Sequence, residues 1–207
     1  MSYTNHLLTT KTFFGLKGNL KNVFIVLALS ILICCGTVSY QQIATDSPYD
    51  LISLEDSLIN DGLSKKNQKA LAIAHKNIGL IQMKKGNYVN ARGHFLNALN
   101  YSYDDSIAQY NLFMINGHLL KKTGNKEKLW EAIETYYKAL KLDQTNGEPY
   151  FFIGQCYQSL GNKDFDLILE SYQKALSLQL SGDLKLKIES EILLVSDREK
   201  KLKDFWK

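Results

Sequence analysis

The sequence predicts an all-α chain that is built from a helical repeat and lies behind an N-terminal membrane-spanning helix. Three glycines, Gly79, Gly117 and Gly154, each precede a Gly-Asn pair by seven residues. An aromatic residue and then, three residues later, an alanine follow each of them. A pattern that recurs at a period of about 36 to 41 residues is the signature of a repeat protein. The second observation is an uncharged apolar run over residues 23–38.

The composition agrees with a mostly helical chain and excludes one class of function. The chain has 207 residues, a formal net charge of +4 and only 2 prolines. Lys11, Lys17 and Lys21 against Asp46 give the first 47 residues a net charge of +2. The other 160 residues therefore also carry only +2. A nucleic-acid-binding protein carries a concentrated basic face. We therefore expect no nucleic-acid partner.

The cysteines and histidines do not form a recognisable chemical site. Cys34 and Cys35 are adjacent within the apolar run, and Cys156 stands alone at a position typical of a small buried residue. The four histidines lack metal-ligand spacing, and no nucleophile with a base or phosphate-binding loop is evident. The sequence therefore predicts no enzyme activity, no cofactor, no metal and no small-molecule substrate.

The N-terminus predicts a membrane segment. Residues 1–21 are a basic segment, and residues 22–40 are a transmembrane signal anchor or a signal sequence. Lys11, Lys17 and Lys21 precede the apolar run, and no Lys or Arg follows it before Lys65. The positive-inside rule then places the N-terminus in the cytoplasm and the remainder of the chain outside it, in the periplasm of a bacterium.

Two other fates of this segment stay open. Thr37-Val38-Ser39 offers small residues at the positions that signal peptidase requires, which would give a secreted protein after cleavage. Residues 32–36 resemble a bacterial lipobox, which would give a lipoprotein acylated at Cys35. Each fate leaves the repeat domain outside the cytoplasm.

A polar linker over residues 41–47 is expected to lead into a helical domain over residues 48–207. Ser47 and Pro48 predict a helix start, because a capping hydroxyl followed by proline suits the first helical turn. Gly62 ends this first helix. A charged final helix over residues 184–206, capped by Asp183, is expected to close the other end.

Three repeats lie between these ends, over about residues 72–105, 110–146 and 147–182. Small residues allow two helices to approach closely, and aromatic residues fill the space beside them. The residues predicted to pack in this way are Gly79, Ala91, Phe95 and Ala98, then Gly117, Ala132, Tyr136 and Ala139, then Gly154, Tyr157, Tyr172 and Ala175. The Gly-Asn pairs predict the turn between the two helices of each repeat.

These spacings resemble the tetratricopeptide repeat (TPR) family from about Ala72 to Gly182. The resemblance implies a right-handed superhelix of antiparallel helix pairs. Gln82 stands where the family has an aromatic residue, Ile168 stands where it has a small one, and the family's proline near the end of each repeat is absent. The stacking of the helices is expected to be locally irregular, most of all in the third repeat.

The resemblance also implies a concave groove that binds peptides, lined by the first helix of each repeat. The corresponding residues are Lys76, Leu80, Met83, Asn111, Met114, His118, Lys121, Glu148, Phe151 and Gln155. Two interpretations stay open for the apolar ones: an open groove, or packing beneath the terminal helices.

The predicted function is that of a membrane-tethered TPR scaffold that mediates protein–protein interactions in the assembly of a bacterial cell-envelope complex. Its partners would be proteins, held in the groove, and the membrane, through residues 22–40. The alternatives are a regulatory subunit of an envelope enzyme and a self-associating structural module.

Overall fold

The computed structural model describes residues 39–161 and 164–206, which form ten helices. The helices are α1 (Tyr40–Asp46), α2 (Pro48–Ser53), α3 (Glu55–Asn60), α4 (Lys65–Lys84), α5 (Tyr88–Tyr101), α6 (Ser106–Lys122), α7 (Lys126–Leu142), α8 (Glu148–Gly161), α9 (Phe165–Leu176) and α10 (Gly182–Phe205). The all-helical prediction is confirmed for these residues. The predictions for residues 1–38, Cys34 and Cys35 included, lie outside the described part of the chain.

The polar linker predicted over residues 41–47 is wrong, because most of these residues are helical. Residues 40–46 form α1, which packs on α4 and buries Ala44 completely. Helix α2 begins at Pro48 as predicted, although Ser47 makes no side-chain capping bond. No helix in the described residues has both the length and the apolar character needed to span a bilayer.

Three helical hairpins follow, and they stack in chain order. Helices α4 and α5 form the first hairpin, α6 and α7 the second, and α8 and α9 the third. Helix α5 packs on α6, α7 packs on α8, and α10 closes the stack by packing on α9. This is the arrangement of helix pairs that the TPR resemblance implied; the right-handed sense of the superhelix stays a prediction. Helix α4 begins at Lys65, seven residues before the predicted start of the first repeat.

One glycine–aromatic contact lies inside each hairpin. A Cβ atom added to Gly79 would lie 2.9 Å from Phe95 Cζ, and one added to Gly154 would lie 2.5 Å from Tyr172 Cε1. The same addition to Gly117 would overlap the ring of Tyr136. All three rings are buried, so an added methyl group has nowhere to go. The alanines of the pattern, Ala91, Ala98, Ala132, Ala139 and Ala175, are buried as well.

The hairpin turns follow the Gly-Asn pattern. Gly86, Gly124 and Gly161 have φ values of 74°, 68° and 142°, which L-residues with a side chain rarely adopt. Asn125 then caps α7, because its side-chain oxygen accepts a hydrogen bond from the Glu127 amide at 2.8 Å. At the start of α10 the cap is Ser181, and the expected cap Asp183 lies within the first turn.

A polar network joins α3 to the first hairpin. Glu55 accepts hydrogen bonds from the Tyr101 hydroxyl at 2.5 Å and from His75 Nε2 at 3.1 Å. His75 is 2% exposed, and its Nδ1 lies 3.0 Å from Nδ1 of His94. Burial, and then the neighbouring His75, lower the pKa of His94. The carboxylate thus satisfies the Nε2 atom of a buried imidazole, which would otherwise lack a partner.

We predict that Gly117→Ala destabilises the domain through overlap with the Tyr136 ring. Overpacking of this kind costs about 1 to 3 kcal/mol of unfolding free energy. The matched control is Gly93→Ala in α5, where an added Cβ meets nothing within 4 Å and the gain in helix propensity is up to about 1 kcal/mol. Urea denaturation measures both free energies, and equal stability of the two variants would contradict the packing role of Gly117.

Candidate functional site

The ten residues predicted to line the groove fall into two groups. Asn111, Met114, His118 and Phe151 are buried, so these four do not line an open surface. The remaining six are partly exposed, namely Lys76, Leu80, Met83, Lys121, Glu148 and Gln155. Fewer of the predicted groove residues are therefore accessible to a partner than the repeat pattern alone implied.

Helix α10 explains the burial of Phe151. Ile188 and Val195 of α10 lie in the same buried cluster as Phe151, Ile168 and Tyr172. Lys187 of α10 also lies over the Phe151 ring, 5.4 Å from its centroid. The final helix therefore covers the third hairpin at the position where a peptide was expected.

Met114 is buried by a different set of neighbours. It belongs to the core cluster that joins the second hairpin to α8 through Leu129, Tyr136 and Ile153. Its side chain thus connects two adjacent hairpins and has no exposed surface.

His118 holds the glycine–tyrosine contact of the second hairpin in place. A hydrogen bond of 2.8 Å joins its Nδ1 to the Tyr136 hydroxyl, and the Phe152 ring packs edge-on at 4.3 Å between centroids. Burial, and to a smaller extent the charge of Lys121, lower the pKa of His118 to about 4. His118 is therefore neutral at pH 7, and its chemistry is that of a structural core residue.

Two of the predicted groove lysines bond adjacent hairpins to each other. Lys76 of α4 donates to Asp105, the residue that caps α6, at 2.5 Å. Lys121 of α6 donates to Gln155 of α8 at 2.6 Å and lies over the Phe152 ring at 5.3 Å. Burial lowers the pKa of Lys121. These side chains fix the spacing of the repeats along the groove.

Glu148 lies at one end of the groove, where α8 begins. Burial raises the pKa of its carboxyl group. It borders an open cavity of about 390 Å³ together with Asp143, Asn146 and Leu184. The loop of Asn146 is held by a parallel bridge to Gln179, so this wall of the cavity is ordered.

A second surface depression, not predicted from the sequence, lies between α7 and α9 and has α8 as its floor. We call it the tyrosine trough, because Tyr137, Tyr150 and Tyr157 line it. It consists of two adjoining cavities of about 470 and 300 Å³ that share Tyr137, Tyr150 and Lys174. The rings of Tyr137 and Tyr150 meet perpendicularly at 6.4 Å between centroids. Tyr157 was predicted only as a packing residue; here it is partly exposed and lies against Trp130 at 5.9 Å.

Nothing in the described residues indicates metal or thiol chemistry. No group of three or more His, Cys, Asp or Glu in residues 39–161 and 164–206 is arranged to hold a metal ion. Cys156 is buried, and burial raises the pKa of its thiol to about 11. The thiol is therefore protonated at pH 7, as suits a small core residue.

Comparisons with known proteins return structures but no family. No protein-family model and no curated protein sequence matches the chain. Among solved structures the chain is similar to MamA from Desulfovibrio magneticus RS-1, at 17% identity over 78% of this chain and 84% of that one, with a TM-score of 0.47. It is also similar to MamA AMB-1, at 17% identity over 80% and 87% with a TM-score of 0.46.

A third similar structure is that of a thermophilic TPR protein in Thermus thermophilus. The identity is 17% over 73% of this chain and 74% of that one, with a TM-score of 0.39. At such identities a likeness concerns the fold alone, and these TM-scores carry no conclusion about function.

We predict that acidification destabilises the second hairpin through His118. The folded-state pKa of about 4 lies below the unfolded value of about 6.5, so this contribution to stability is present above pH 6.5 and lost as the pH falls towards 4. Between pH 7 and pH 5 the loss amounts to about 2 kcal/mol of unfolding free energy. Urea denaturation of the native chain and of His118→Gln at pH 7 and pH 5 measures the contribution of His118 to the unfolding free energy. Equal losses of unfolding free energy in the two proteins would refute the prediction.

Proposed function

We propose that the chain is a helical-repeat scaffold that binds segments of other proteins without catalysing a reaction. The supporting observation is that three hairpins are bonded to one another by Lys76–Asp105 and Lys121–Gln155. Contacts between consecutive hairpins build a rigid surface that extends over several repeats, and helical-repeat proteins use such surfaces for binding. A preorganised surface of this kind loses little conformational entropy when a partner binds.

We further propose that residues 22–40 tether this scaffold to a membrane, with the repeat domain on the periplasmic side and a role in assembling a cell-envelope complex. The support is the uncharged run over residues 23–38 and the three lysines before it. Cleavage after the signal or acylation at Cys35 are the alternative fates. A tether raises the local concentration of the scaffold at the membrane without any new contact.

Self-association is the second candidate function, and one observation favours it. Leu186, Leu193 and Leu194 of α10 are each more than half exposed. Large exposed aliphatic side chains on one helix are typical of a surface that another protein covers. Light scattering on the purified full chain separates the two candidates, since a monomer at micromolar concentration contradicts self-association.

We predict that photocrosslinkers in the groove capture specific partner proteins in membranes. The photoreactive residue p-benzoylphenylalanine replaces Gln155 or Met83, which are partly exposed, rather than the buried Met114 or Phe151. Val89, 73% exposed at the start of α5, is the control position. Crosslinked species specific to Gln155 and Met83 are expected. Identical species from Val89 would exclude the groove, and none from any position would contradict the scaffold.

We predict that the repeat domain faces the periplasm. In a variant without Cys34, Cys35 and Cys156, a cysteine introduced at Val89 should react with a membrane-impermeant maleimide once the outer membrane alone is permeabilised. Carbonate extraction of the same cells should leave the full chain in the membrane pellet. Labelling that requires lysis of the inner membrane would contradict this topology, and release by carbonate would contradict the tether.

A further inference from the structure

We infer that the tyrosine trough docks a protein segment that carries a bulky apolar side chain next to a carboxylate. This inference rests on the proposed scaffold function and names a second surface and the chemistry of its partner. The predicted groove does not include this surface, and of the residues that line it only Tyr157 belongs to the predicted packing residues.

The apolar part of the trough is large and held in place. Tyr137 and Leu167, which line the trough, are 42% and 40% exposed, which is high for side chains of this size. The perpendicular ring pairs Tyr137–Tyr150 and Trp130–Tyr157 fix the walls of α7 against the floor of α8. Tyrosine and tryptophan dominate binding hot spots because a large surface is buried at little cost in side-chain entropy. The larger cavity, about 470 Å³, has room for one Leu or Phe side chain.

Charged side chains border both cavities of the trough. Lys141 of α7 and Lys174 of α9 border the larger cavity from opposite walls. Lys174 borders the smaller cavity as well, together with Glu170 of α9, whereas Lys141 borders only the larger one. Within the described residues, neither lysine's ammonium group takes part in a hydrogen bond or an ion pair. Two unpaired ammonium groups around an apolar cavity favour a carboxylate beside the apolar anchor, and Glu170 fixes the direction in which the segment lies.

The preceding hairpin provides an internal comparison. Phe113 and Leu120 of α6 occupy the positions of Tyr150 and Tyr157 relative to the glycine of each repeat. Leu96 directly follows the buried ring of Phe95, as Tyr137 directly follows that of Tyr136. Asn100 replaces Lys141 at the corresponding position. The preceding hairpins therefore pack without the tyrosine hydroxyl groups and without a lysine at the position of Lys141. The tyrosines and Lys141 therefore distinguish this trough from its counterpart and are available for recognition.

Two synthetic helical peptides of about 15 residues test the inference. They are identical except that Glu in one and Lys in the other flanks a central Phe, and each carries a fluorescein label. Anisotropy is measured with the full chain in detergent micelles. We expect the Glu peptide to bind at least about tenfold more tightly than the Lys peptide, because two lysines face its carboxylates.

A charge exchange provides the decisive comparison. Lys141→Glu combined with Lys174→Glu should reverse the preference, so that the Lys peptide binds more tightly. Both lysines are exposed, so folding should be preserved, and circular dichroism checks this. The matched control is Lys65→Glu with Lys185→Glu, two exposed lysines away from the trough, which changes the net charge equally and should leave the preference as it was.

Three outcomes would overturn the inference: no binding of either peptide, equal binding of both, or a preference that the exchange at Lys141 and Lys174 does not alter. Tyr137→Ala should also weaken the Glu peptide at least about tenfold, since it removes the shared wall of both cavities. The groove crosslinks at Gln155 are scored separately in the same charge-exchanged variant. If they persist while peptide binding fails these tests, the scaffold function stands and the trough assignment falls.

Discussion

The contact between a glycine on the first helix of each hairpin and an aromatic ring on the second is the constraint on which the rest of the structure depends. Gly79, Gly117 and Gly154 leave a space that a Cβ atom would fill, and a buried ring occupies it. The distance and rotation of the two helices are thereby fixed, because close-packed interiors do not accommodate an extra methyl group cheaply. Since the contact recurs at the same place, each hairpin presents equivalent faces to its neighbours and the hairpins stack.

Polar bonds join adjacent hairpins at positions predicted to line the groove, in addition to the apolar contacts that run between hairpins. Lys76 donates to Asp105, which caps the first helix of the next hairpin, and Lys121 donates to Gln155 on the first helix of the hairpin after it. A partner that bonds to Lys76 or Lys121 therefore has to share the lysine with Asp105 or Gln155, or to break that existing bond. The lysines around the tyrosine trough are free of such bonds within the described residues. Two lysines at predicted groove positions therefore bond adjacent hairpins, whereas the ammonium groups beside the trough are not compensated in this way.

Local steric rules made most of the fold predictable from the sequence. The Gly-Asn turns, the buried rings and the helix start at Pro48 depend on residues close together in the chain. The burial of Phe151 was not predictable in this way, because Ile188 and Val195, more than 35 residues later, cover it. Helix α1 was missed because a single residue, Ala44, is buried in it, so that its apolar pattern is too short to detect. The tyrosine trough was missed because its walls come from three helices and no single repeat contains it.

Each end of the stack has an exposed face that a terminal helix covers, and the two ends differ in the contacts that hold this helix. A terminal hairpin exposes a face that an inner hairpin would bury, and it needs a cap to remain soluble. At the C-terminal end the cap is apolar, since Ile188 and Val195 pack on the third hairpin. At the N-terminal end an apolar layer from α1 and α2 is joined by the network of Glu55, His75 and Tyr101. A buried imidazole that loses its carboxylate partner costs far more than a lost surface bond, so the network specifies one position of α3 rather than merely adding stability. With both ends occupied in this way, partner proteins have access chiefly to the surfaces that run along the stack.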